Sequence, residues 1–160
     1  MAAPSYATRG FSLIELMIVV AVIGIIAAVA VPYFGEAGMR GKRVEGREIL
    51  LKAASKQEQF FAQYVSYTTV VKGNSSCSGV ACGLGMASDL SENENYKLTI
   101  AVGPAGCAPD TDTICRTYTL TATPNGKFKD GDCNALTYSN SGVKGVKDVS
   151  DQTKIKKCWR

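Results

Sequence analysis

Gly10-Phe11-Ser12-Leu13-Ile14-Glu15-Leu16-Met17-Ile18-Val19-Val20-Ala21-Val22-Ile23-Gly24-Ile25-Ile26-Ala27-Ala28-Val29-Ala30-Val31-Pro32 stands near the start of a 160-residue chain. From Phe11 to Val31 it holds one ionisable side chain, Glu15. About 20 consecutive apolar residues suffice for a helix to cross the hydrocarbon layer of a bilayer, so this segment can span a membrane. A carboxylate inside such a span costs about 2.5–3.5 kcal/mol and is rare without a partner. No Lys, Arg or His lies within the run to serve as one. The partner must come from outside, and an α-amino group freed by cleavage before Phe11 would be a cation at matching depth.

An ordinary secretory signal has an apolar run of 7–15 residues followed by a small-residue cleavage site. Here the run is longer and continues into helix-forming sequence. A plain N-terminal anchor accounts for the hydropathy but not for Glu15. The segment Gly10-Phe11-Ser12-Leu13-Ile14-Glu15-Leu16 resembles the class III signal of type IV pilins, GFTLIEL, with Ser in place of Thr. The resemblance implies cleavage between Gly10 and Phe11 by a prepilin peptidase, methylation of Phe11 by the same enzyme, and pairing of Glu15 with a neighbouring subunit's amino terminus during assembly. Residues 1–10 would be the leader, 11–35 the transmembrane and filament-core helix, and 36–160 the head. The leader carries Arg9 alone, where the family's is usually richer in Lys and Arg.

The rest of the chain is long enough for one soluble domain. Past Gly41 the sequence turns charged and helix-forming, with Leu50, Ala54, Phe61 and Val65 within about 60° of arc on a 3.6-residue helix. One interrupted helix from Phe11 to about Tyr64 is expected, with Leu50, Ala54 and Phe61 buried against a sheet. Gly24, Pro32 and Gly35 punctuate it, and either a mild kink or local melting between Gly24 and Pro32 fits the sequence. Residues 65–95, rich in Ser, Gly, Asn and Thr, read as a loop with a turn of helix near Ala87. Three alternating strands follow, at 96–102, 116–123 and 135–139, as an antiparallel meander. The fold class is α+β, a long helix on an antiparallel sheet with a C-terminal region bounded by a disulfide, and residues 96–160 form the sheet and C-terminal loop.

Six cysteines follow residue 76. An even number in an exported chain favours disulfides, and six permit 15 pairings. Spacing favours Cys77 with Cys82, Cys107 with Cys115, and Cys133 with Cys158. The last stretch, Cys133 to Cys158-Trp159-Arg160, resembles the disulfide-bounded region that closes a pilin head. Together with Tyr118 to Pro124 it is most like PilE-type minor pilins of type IVa systems.

The chain has no His, which removes Ser-His and Cys-His nucleophile arrangements. The pairs Asp110/Asp112 and Asp130/Asp132 read as solvated turn residues rather than an acid/base pair, and no metal or other cofactor is expected. The net charge of +4 falls by one when Arg9 is lost with the leader. Basic residues cluster at Arg40, Lys42, Arg43 and Arg47, and again at Lys144, Lys147, Lys154, Lys156, Lys157 and Arg160. The second group could touch phosphates, although a solvated basic face without interleaved aromatics is the simpler reading.

The resemblance implies a structural subunit of a type IV pilus, a minor pilin that assembles into or initiates a filament serving adhesion, twitching or DNA uptake. It would wait in the inner membrane and then join the extracellular pilus. The partners implied are other pilin subunits, the prepilin peptidase and an inner-membrane assembly platform. A DNA-receptor pilin contacting DNA through the second basic group, and a pseudopilin of type II secretion, are the alternatives.

Overall fold

A computed structural model describes residues 12–73, 79–109, 113–126 and 128–160, with the backbone alone at 31–34. The chain divides into two compact units, Met1–Gly38 and Met39–Arg160, each taken by itself.

Helix α1, Leu13–Tyr64, is a single helix through Gly24 and Pro32. Local melting there, one of the two possibilities in the sequence, does not occur in this structure. In the first unit the large apolar side chains from Leu13 to Val29 stand exposed, and Glu15 lies among them. By length and composition this part of α1 can cross a membrane.

In the second unit α1 turns one face inward. Ile49, Leu50, Ala53, Ala54 and Phe60 are buried and Phe61 is half-buried. Val65, expected on the apolar stripe, falls past the helix end at φ 55° and is exposed. Gln57 is fully buried; its Nε2 donates to Thr68 O and its Oε1 accepts Thr68 N at 3.2 Å, which fixes the exit of the chain from α1.

The sheet is an antiparallel meander in the order β1-β2-β3-β4, with β1 Tyr96–Gly103, β2 Thr117–Pro124, β3 Leu136–Ser139 and β4 Lys144–Val146. Alternation along β1 and β2 buries Tyr96, Leu98, Tyr118, Leu120 and Ala122 in the core that Leu50 and Phe60 share. The sequence predicts three of these strands within a residue at either end. It misses β4, whose three residues include Gly145 and have no alternation to detect. It also misses helix α2, Gln152–Cys158, capped by Asp151 Oδ1 accepting from Thr153 N at 2.9 Å. The turn of helix expected near Ala87 lies earlier, as a 3-10 turn at Gly79–Cys82.

Disulfides join Cys107 to Cys115 and Cys133 to Cys158, as spacing suggests. Cys82 is disulfide-bonded, while Cys77, named as its partner, lies outside the described residues, as do Gly10, Phe11, Asp110 and Asp112.

Candidate functional site

The exposed basic residues of the C-terminal region gather on β4, the turn after it and α2. Ile155 and Cys158, three residues apart, point into the core, and this leaves Lys154, Lys156 and Lys157 in solvent. Lys144, Lys147 and Arg160 are exposed as well. Three links seat α2 against the sheet and the long helix. The Cys133–Cys158 disulfide ties its last turn to the segment before β3. Trp159 Nε1 donates to Gly145 O of β4 at 2.8 Å, and Arg47 Nη1 of α1 donates to Trp159 O at 2.7 Å.

Trp159 is half-buried, and the Lys144 ammonium lies 5.4 Å from the centre of its ring. The Tyr138 ring is 6.1 Å away. A cation held against an indole face and backed by a phenol is the aromatic interleaving that the linear sequence lacks. The α2 lysines neighbour Trp159 along the chain, whereas Lys144 reaches its ring only because β4 lies beside α2. Lys157 is partly neutralised by Asp132, 3.4 Å away, so Lys144, Lys147, Lys154, Lys156 and Arg160 carry most of the positive field.

Two members of the first basic cluster are engaged within the head, while Arg40 and Lys42 are exposed. Arg43 is buried and pairs with Asp130 through Nε and Nη2 at 2.6 and 2.7 Å. Lys42 lies 4.8 Å from the centre of the Phe128 ring, and Arg47 is committed to Trp159 O. Asp130 is correspondingly no solvated turn residue. It accepts from Cys133 N and Asp132 N at 3.0 and 3.2 Å and lies 3.5 Å from the Tyr96 hydroxyl. Burial alone would raise its pKa, but the Arg43 guanidinium and the two amides outweigh that and hold the carboxyl below the usual range. Both of its oxygens are thereby engaged by Arg43 and the two amides. Among the described residues no cluster of His, Cys, Asp and Glu could hold a metal ion.

A family model described as "Type IV minor pilin ComP, DNA uptake sequence receptor" matches residues 32–137, and one described as "Prokaryotic N-terminal methylation motif" matches residues 6–31. The first match ends before β4 and α2. The type IV major pilin protein PilA of Myxococcus xanthus is 37% identical over 95 residues, covering 59% of this chain and 39% of that protein. The fimbrial protein EcpC of Eikenella corrodens is 32% identical over 98 residues, covering 61% of this chain and 56% of that protein. A fimbrial protein of Neisseria meningitidis serogroup B is 41% identical over 73 residues, 46% of this chain and 41% of that protein. The chain thus spans from about two fifths to just over half the length of these curated relatives. A solved type IV pilin from Shewanella oneidensis superposes with a TM-score of 0.40 at 16% identity, covering 70% of this chain and 93% of that one.

Proposed function

The chain belongs to the type IV minor pilin family, and from that membership we propose that it is a pilus subunit whose head binds DNA through the lysines of β4 and α2. The observation that carries this reading is the family match over residues 32–137, whose description is that of a DNA uptake receptor. The exposed lysines beside Trp159 supply a surface of the right sign and chemistry. In this reading the chain is cut between Gly10 and Phe11 by a prepilin peptidase, and Phe11 is methylated. Glu15 pairs with a neighbour's amino terminus as the subunit leaves the inner membrane through the assembly platform and enters the extracellular filament.

The test is fluorescence anisotropy of a labelled duplex oligonucleotide with the full chain in micelles over a range of salt. Each phosphate contact contributes about −0.9 to the slope of log affinity against log salt. Replacing Lys154, Lys156 and Lys157 with Ala should flatten that slope by about 2.7 and weaken binding evenly across sequences. Absence of binding at low salt removes the DNA role. What would then remain is a purely structural subunit, the reading favoured by relatives that are named major pilin and fimbrial protein.

A further inference from the structure

A groove of about 320 Å3 opens where α1 passes the start of β1 and the turn after β2. Three carboxamides line it, Asn93, Asn95 and Asn125, with Lys42 and Glu94 at its edge. Asn93 Nδ2 and Asn95 Nδ2 both donate to Glu45 Oε1, at 3.0 and 2.8 Å, and Asn125 Nδ2 donates to Glu94 O at 3.0 Å. A carboxylate or a carbonyl can only accept, so each amide must present its nitrogen to that partner and turn its Oδ1 away. Among the described residues no donor meets these three oxygens.

Glu45 is the clamp of the arrangement. It also accepts from Ser91 Oγ at 3.0 Å and Asn93 N at 3.4 Å. Burial alone would raise its pKa, but these donors outweigh it and hold the carboxyl below its usual value, so the clamp is charged at neutral pH. The Lys42 ammonium, seated over Phe128, is the donor on the opposite side. Among the described residues, the groove sets one cation, Lys42, against Glu94 and the clamping Glu45, a balance unlike that of the α2 surface. Three acceptors fixed in orientation, one donor and a volume at the small end of ligand sites fit a neutral ligand rich in hydroxyl groups.

We propose that this groove binds a neutral saccharide, with sugar hydroxyls donating to Oδ1 of Asn93, Asn95 and Asn125 and a sugar oxygen accepting from Lys42. The test is saturation-transfer NMR on the full chain, in zwitterionic micelles free of sugar headgroups, with lactose and N,N′-diacetylchitobiose as probes. Transfer to the ring protons of at least one sugar is expected. Asn93→Ala and Lys42→Ala, both changes at exposed positions, should each weaken binding about tenfold, and Lys154→Ala should leave it unchanged. Absence of transfer from both sugars to the folded wild type overturns the proposal, as does transfer that Asn93→Ala does not diminish. Displacement of the sugar by a short DNA duplex would assign the groove to the DNA-binding surface and also overturn it.

Discussion

Arg43 and Asp130, 87 residues apart in sequence, meet in a buried two-point ion pair between the long helix and the segment that leads into the Cys133 disulfide. The two partners are not equally dependent on each other. Without Arg43, Asp130 still accepts from the Cys133 and Asp132 amides. Without Asp130, the buried guanidinium keeps, among the described residues, only Asp132 as an ion-pair partner, 3.7 Å away and largely exposed. Asp130→Ala should therefore cost about 3–5 kcal/mol and Arg43→Met clearly less, in urea denaturation followed by circular dichroism. Equal costs would contradict this asymmetry. Because the folded pKa of Asp130 is depressed, its contribution is full above the ordinary carboxylate value of about 3.9 and is lost as pH falls through the lower folded value. Wild type should lose stability in that acid range, and Asp130→Ala should show a flatter profile.

Gly46 occupies a helix interior where Ala would ordinarily gain about 1 kcal/mol. A Cβ there would lie 3.1 Å from three atoms of the Tyr96 ring. That ring is fully buried against Phe128, with its hydroxyl near Asp130, so it has little freedom to retreat. Overpacking costs about 1–3 kcal/mol, and Gly46→Ala should be net destabilising by about 1 kcal/mol. A raised melting temperature would show that the ring can move.

The Cys133–Cys158 bond closes a loop of sequence separation 25. In the chain-entropy treatment it contributes about 3–4 kcal/mol. Replacing both cysteines with Ser should lower stability by that amount. It should also weaken duplex binding more than any one lysine substitution, because α2 loses its covalent seat. Unchanged DNA affinity in a folded double variant would mean that α2 holds its position through Trp159 and Ile155 alone.

Glu15→Ala should leave a membrane-held protein, detected by intact-mass analysis as processed, that is absent from sheared pili. Incorporation equal to wild type would remove the assembly role proposed for Glu15.

Much of the architecture is legible in the chain because it rests on long periodic signals. The apolar run and the face through Leu50 and Ala54 predict α1 to its C-terminal residue, and alternation predicts β1, β2 and β3. What escapes is short or distant. Helix α2 spans under two turns and has only Ile155 and Cys158 facing inward, which is too little for a period to register. Arg43 reads only as one of four clustered basic residues, because its partner lies far along the chain. The seating of Lys144 on Trp159 depends on a β4 turn that no local pattern announces. The Asn93–Asn95 segment shows only loop composition until Glu45 is placed beside it.

Trp159 is the one tryptophan in the chain. Its indole nitrogen is tied to β4, its carbonyl to α1, and its neighbour Cys158 to the segment before β3. Excited near 295 nm, the protein therefore emits from a single fluorophore at the junction of three elements. Reduction of the adjacent disulfide, undocking of α2 or occupancy of the lysine surface would each change the polarity or quenching of that emission. The state of the head's last turn can thus be followed optically in the purified chain, without a label.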